Sequence, residues 1–181
     1  MNVLDAISKR KTIRDYEQGW KCPKEHLETI AELALLAPST CNFQSIDLLV
    51  ITNQEILDKI GSVGLETMPD VLQQQFLLRK DKGYKNVITC DAPVLFILVK
   101  NERADPHFYQ LDAGIMVESI LLASLNYGYG TMCISALAFA DLENIIGVPK
   151  DKFAMAIAMG KPAASAATYE KEILCKASFI E

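Results

Sequence analysis

Four cations, Lys9, Arg10, Lys11 and Arg14, crowd around one hydroxyl, Thr12, near the start of a chain whose net charge is −5. Against that acidic background the cluster is the feature best suited to hold an anion. Guanidinium and ammonium donors beside a hydroxyl suit a phosphate monoester, which carries a charge of about −2 and accepts several charge-assisted hydrogen bonds. The same residues also read as a solvated helix end, where cations offset the negative end of the helix dipole. A second polar segment, Pro38-Ser39-Thr40-Cys41-Asn42-Phe43-Gln44, supplies two hydroxyls and two amides able to bond ring nitrogens and carbonyl oxygens. It reads equally as a helix-to-strand turn, which Pro, Ser and Asn favour.

Other chemistries lack their residues. No glycine pattern of a Rossmann or P-loop nucleotide site occurs, nor a nucleophile elbow, nor a pair of helical zinc-binding histidines. The two histidines, His26 and His107, read as a helix-surface residue and a helix-start residue, so a histidine triad or metal centre is not expected. The five cysteines form no CxxC pair and imply neither zinc nor a dithiol motif. No leader-like start and no apolar run of about 20 residues is visible, so the reading is a cytoplasmic protein with reduced thiols. The negative net charge argues against nucleic acid or anionic membrane as partner.

The elements that must position these groups follow from periodicity. Asn2 caps a first helix with Val3, Leu4 and Ile7 on one face, ending near Lys9 or Arg10. Pro23 opens a second, striped by Leu27, Ile30, Ala31, Ala34 and Leu35, which Pro38 stops at Ala37. Ile46 to Thr52 has strand length, Asn53 caps a helix over Glu55 to Ile60, and Pro69 opens another containing Leu72, Gln75, Phe76 and Arg79. Pro93 to Val99 is a strand apolar on both faces. Leu111 to Asn126 is a helix apolar nearly all round, closed at Tyr127-Gly128. Tyr129 to Ile134 and Phe153 to Met159 are strands, with a capped helix over Asp141 to Gly147 between them. The result is one domain over 1–181, an α+β or α/β sandwich on about four strands. Hydrophobic residues make up 50% of the chain, which requires a wholly buried helix or a surface covered by a partner.

The ordered motifs resemble the nitroreductase family. Arg10 to Tyr16 is similar to its R-x-[ST]-x-R-x-[YF] segment, and Ala37 to Gln44 to its A-P-S-x-x-N-x-Q. Asp112-Ala113-Gly114 through Glu118 is similar to its D-x-G-x-x-x-[QE] helix, Gly128-Tyr129-Gly130-Thr131 to its G-x-G-T, and Gly160-Lys161-Pro162 to its G-x-P turn. The resemblance implies an α+β three-layer sandwich around a mostly antiparallel sheet of four to five strands, assembled as an intertwined homodimer. It implies FMN as cofactor and NADH or NADPH as co-substrate. Arg10, Lys11, Thr12 and Arg14 would share the phosphate and pyrimidine edge. Pro38, Ser39, Thr40, Asn42 and Gln44 would reach the flavin of the opposite subunit. Backbone near Ser135 and Ala136 would approach flavin N5. The activity implied is ping-pong hydride transfer to a nitroaromatic, quinone or other electron-poor small molecule.

Departures from the family pattern mark open points. Ser45-Ile46 stands where the family has proline and an aromatic, and Ser135-Ala136 where it often has glycine. Ala163 to Thr168 holds no cation, so either Lys161 or Lys171 substitutes at the phosphate or the grip there is weaker. Asp112 reads as a helix cap and Glu118 as an interface hydrogen-bonding group. The tail looks short for an arm around a partner. A non-catalytic flavin-storing homodimer and a flavin-free interaction protein are the competing readings.

Overall fold

A four-stranded sheet, antiparallel throughout, forms the middle layer of the computed structural model, which describes residues 1–180. Its strands are β1 (Ile46–Ile51), β2 (Val94–Lys100), β3 (Gly130–Ile134) and β4 (Phe153–Gly160), in the order β1-β2-β4-β3. On one face lie α2 (Lys24–Leu35) and α5 (Tyr109–Asn126); on the other lie α3 (Gln54–Thr67), α4 (Asp70–Leu77) and α6 (Glu143–Ile146). The short α1 (Val3–Lys9) rests on α5. This is the α+β three-layer sandwich; the antiparallel pairing settles the α/β alternative.

The period-2 pattern explains the two cores. In β2, Leu95 and Ile97 enter the α3 side while Val94, Phe96 and Leu98 enter the α5 side. In β4, Ala156 and Ala158 face α3 and Ile157 and Met159 face α5. The alanine face lets the α3 layer come close, and the larger face fills the space under α5.

Caps match the sequence. Asn2 Oδ1 accepts from Asp5 N at 2.8 Å and Asn53 Oδ1 from Ile56 N at 3.1 Å. Pro23 and Pro69 immediately precede α2 and α4. Asp141 Oδ1 accepts from Glu143 N at 3.1 Å, and Gly147 ends α6 in left-handed geometry.

Two expectations are corrected. The helix after Asn53 continues past Ile60 to Thr67. Gly61 and Gly64 within it are contact glycines: a Cβ at Gly61 would sit 2.4 Å from the Asn86 side chain, and one at Gly64 2.6 Å from Leu137 Cδ2. His26 is not a plain surface residue. Its ring stacks on Tyr127 at 4.0 Å and hydrogen-bonds the Tyr129 hydroxyl, tying α2 to the start of β3. Burial, with Cys22 nearby, pushes the Tyr129 phenol up to about 12, so it stays neutral.

Ser124 in α5 is fully buried, and its hydroxyl finds no partner among the described residues. Ser124→Ala removes an unsatisfied group and improves helix propensity, so a gain of about 1 kcal/mol is expected. A melting temperature unchanged or lowered would contradict this; about 2–4 °C upward is expected.

Candidate active site

The basic segment is laid across the ends of β3 and β4 by backbone pairing. Ile13 N donates to Thr131 O at 2.9 Å, Glu17 N to Lys161 O at 2.8 Å, and Ala163 N to Asp15 O at 3.0 Å. Two glycines make room for it. Gly130 and Gly160 pair with each other, and a Cβ would fall 2.6 Å from Ile13 Cβ at the first and 2.7 Å from Tyr16 Cδ1 at the second. Tyr16 is buried and its hydroxyl donates to Ile13 O at 2.7 Å, so the segment is also stitched to itself. Burial raises that phenol well above its ordinary range, which keeps it a donor.

This placement splits the basic run. Lys9, Arg10 and Lys11 wall a cavity of about 150 Å³, together with Thr131 and Thr168 and an apolar floor that includes Leu121. Arg14 is exposed and lines a different neighbourhood, where its charge acts on Tyr16 and Cys90. Thr12 bridges to Thr131. Each of the three cations walling the cavity has an acidic partner. Lys9 reaches Asp5 at 3.6 Å, Arg10 Nε lies 3.9 Å from Glu118 Oε1, and Lys11 Nζ lies 2.9 Å from Glu170 Oε2. Lys161 is held by Glu17 at 2.6 Å, and Lys171 is exposed on the tail and absent from the cavity wall. Neither expected substitute is therefore in place. Thr168 is, and an uncharged hydroxyl in the tail carries no signal in the sequence that would mark it for a phosphate.

The second segment sits against the start of α5, through Asp112. Pro38 follows α2, and Thr40–Asn42 forms one turn of 3-10 helix. Ser39 Oγ accepts from Gln44 N at 2.9 Å, and Gln44 Nε2 donates to Asn42 Oδ1 at 3.3 Å. Asp112 does not cap its own helix, contrary to expectation: its carboxylate accepts from Thr40 and from Ser45. Glu118 lies six residues further along α5, about 9 Å at the usual rise and about a third of a turn round the helix. Within one chain, no hydrogen bond or ion pair among the described residues joins the basic run to the Pro38–Gln44 loop.

Ser135 and Ala136 follow β3 directly, with Ser135 exposed. Neither backbone N–H donates to another group among the described residues. Cys133 lies two residues earlier; burial pushes its thiol up, a rise that Arg10 opposes and Glu118 adds to. A larger groove of about 1040 Å³ is lined elsewhere, by residues such as Trp20, Lys21, Asp58, Glu66, Lys85 and Asp91. Its lining holds acids (Glu17, Asp58, Glu66, Asp91) as well as lysines, with no excess of cations to favour a phosphate, and it holds none of the expected site residues.

A family model described as the nitroreductase family matches residues 7–161. The chain belongs to this family. A relative from Methanothermobacter thermautotrophicus, named as a candidate NADH dehydrogenase/NAD(P)H nitroreductase, is 27% identical over 173 residues, covering 93% of this chain and 81% of the relative. An enone reductase of CLA biosynthesis from Lactiplantibacillus plantarum is 24% identical over 187 residues, with 90% and 86% covered. The fold matches a nitroreductase from Desulfitobacterium hafniense, solved with bound FMN, at a TM-score of 0.83 and 22% identity over 100% of both chains. As for the membrane, none of the described helices is long and apolar enough to cross one.

Proposed function

We propose that this nitroreductase-family chain is an FMN-dependent oxidoreductase working as a homodimer. It takes hydride from NADH or NADPH and delivers it, in a ping-pong order, to an electron-poor acceptor such as a nitroaromatic or quinone. The observation that carries the reading is the separation of two half-sites on one chain together with an unpartnered apolar seam able to recruit the second chain. Along α5, Leu111, Ile115, Glu118, Leu122 and Leu125 recur at alternating spacings of four and three, the spacing of a helix-pairing seam. Leu111 is 62% exposed and Ile115 42%, while the opposite face of α5 is buried on the sheet. Val3, Leu4 and Ile7 of α1, the helix that leads into Arg10, are also exposed. Antiparallel pairing about Glu118, the midpoint of the seam, would bring each chain's loop to the other chain's basic run.

The cavity residues fit the phosphate end of FMN. Arg10, Lys11, Thr131 and Thr168 would hold the phosphate, displacing Glu170 from Lys11; that carboxylate is almost fully exposed, so releasing it costs little. Thr12 and Arg14 would serve the pyrimidine edge, where a cation stabilises the charge of the reduced ring. The free N–H groups at Ser135 and Ala136 would face N5. The partner's Pro38, Ser39, Thr40, Asn42 and Gln44 would complete the enclosure. Bound there, FMN supplies the hydride chemistry through N5, so no side chain need act as a nucleophile. The residues orient the ring and keep donor and acceptor against it in turn.

The test is a visible spectrum of purified protein given FMN, before and after anaerobic NADH or NADPH. Uptake with bleaching, then recolouring by a nitroaromatic, quinone or enone, is expected. Retained colour without bleaching would point to flavin storage instead, and no uptake by a dimeric protein would sink the reading. Arg10→Ala should weaken FMN binding on the order of 10- to 100-fold, the usual value of a charge-assisted hydrogen bond, and Arg14→Ala should weaken it less. Full flavin in both variants would show the basic run misassigned.

A further inference from the structure

We propose that Asp112 is the positioning residue of the half-site that one chain lends to the other, an inference that rests on the flavin assignment above. Asp112 is 4% exposed. Its Oδ1 accepts from Thr40 N at 2.8 Å and from Thr40 Oγ1 at 3.1 Å, and its Oδ2 accepts from Ser45 Oγ at 2.8 Å. No cation lies within 4.0 Å of it among the described residues, so these donors hold the charge. A buried carboxylate needs such donors, and they need it: the donors lie at two points of the loop, one near its start and one just past its end.

Between those points the backbone takes a shape the residues would not choose alone. Cys41, Asn42 and Gln44 have φ of 48°, 57° and 50°, left-handed geometry at three positions that carry a Cβ. Such geometry persists only where surroundings over-determine it. The surroundings here are Asp112 at one end and, at the other, Asn101 Nδ2 and Arg103 Nη2, which donate to Gln44 O at 2.9 and 3.2 Å. Asn42 and Ser39 are thereby presented on a rigid loop rather than a mobile one. The same carboxylate sits on α5, the helix that carries the seam. One residue therefore ties the lent half-site to the element that delivers it across the dimer.

The experiment titrates FMN into full-length dimeric apoprotein, followed by flavin fluorescence, with visible circular dichroism of the bound ring. Asp112→Asn keeps the shape but offers only one accepting oxygen. It is expected to remain dimeric, to bind FMN on the order of tenfold more weakly, and to alter the visible dichroism. Its effect should not add to that of Asn42→Ala, which acts through the same loop, but should add to that of Lys11→Ala at the distant cavity. Ser124→Ala, in the same helix without a loop contact, should change neither reading. Should Asp112→Asn not fold, the Thr40→Val/Ser45→Ala pair, which keeps the carboxylate, should show the same loss. Wild-type affinity and dichroism in these variants, or simple additivity with Asn42→Ala, would overturn the proposal. If the wild type takes up no FMN, the flavin assignment fails instead. Amide exchange at Thr40 and Gln44 then judges the clamp, which predicts faster exchange in Asp112→Asn and is overturned by unchanged protection.

Discussion

Ile115→Asp is expected to dissociate the homodimer and empty the flavin site in one step. The side chain lies on the exposed stripe of α5, one turn from Glu118, and takes no part in the buried face that packs on the sheet. A carboxylate there leaves the fold of one chain intact. In the dimer it is carried into an apolar seam, beside Glu118 and with no cation to spare, because Arg10 already faces Glu118. Burying an unpaired charge costs several kcal/mol, and the two-fold repeats that cost. Dimerisation should therefore weaken on the order of 10³-fold or more. Flavin binding should fall with it, since the proposed site draws on both chains. Light scattering and the ratio of flavin to protein absorbance read the two effects, with far-ultraviolet dichroism unchanged. A dimeric, flavin-loaded Ile115→Asp protein would remove α5 from the interface.

Gly160→Ala should be the most damaging small change in the platform under the basic run. The added methyl would lie 2.7 Å from Tyr16 Cδ1 and 3.0 Å from Pro93 Cδ. Tyr16 cannot swing aside without breaking its hydrogen bond to Ile13 O, and it is fully enclosed. Overpacking of this kind costs about 1–3 kcal/mol, or a few degrees of melting temperature per kcal/mol in a chain this size. The strain is relieved by lifting the segment off the sheet, which moves Arg10 and Lys11 together. Flavin affinity should therefore drop along with stability, on the order of tenfold or more. Gly130→Ala should behave alike, because its methyl meets Ile13 Cβ, an atom fixed to the backbone. Lower stability with unchanged affinity would show that the segment does not need this seat.

Much of the scaffold could be read from residue types. Asn2, Asn53 and Asp141 mark helix starts because a short polar side chain can satisfy a free N–H locally. The continuous apolar run of β2 announced burial on both faces. What misled was the far end of α3. Expected to stop at Ile60, the helix runs on to Thr67, and Gly61 and Gly64 mark where Asn86 and Leu137 press against it. Asp112 misled in the same way: its place near a helix start suggested a cap, whereas its partners are Thr40 and Ser45, about seventy residues away.

The basic run and the Pro38–Gln44 loop were visible because polar chemistry shows in residue type and order, and family membership follows from that order. Tertiary structure decided how the run is used. Backbone pairing with β3 and β4 turns Arg10 and Lys11 to one small cavity and leaves Arg14 on another side. It also brings Thr168, an uncharged hydroxyl, to the wall of that cavity. The separation of the two half-sites was likewise a matter of tertiary structure, since it depends on which end of α5 each segment meets. Periodicity describes neighbours a few residues apart; these contacts join residues far apart in the chain, and only the packed sheet brings them together.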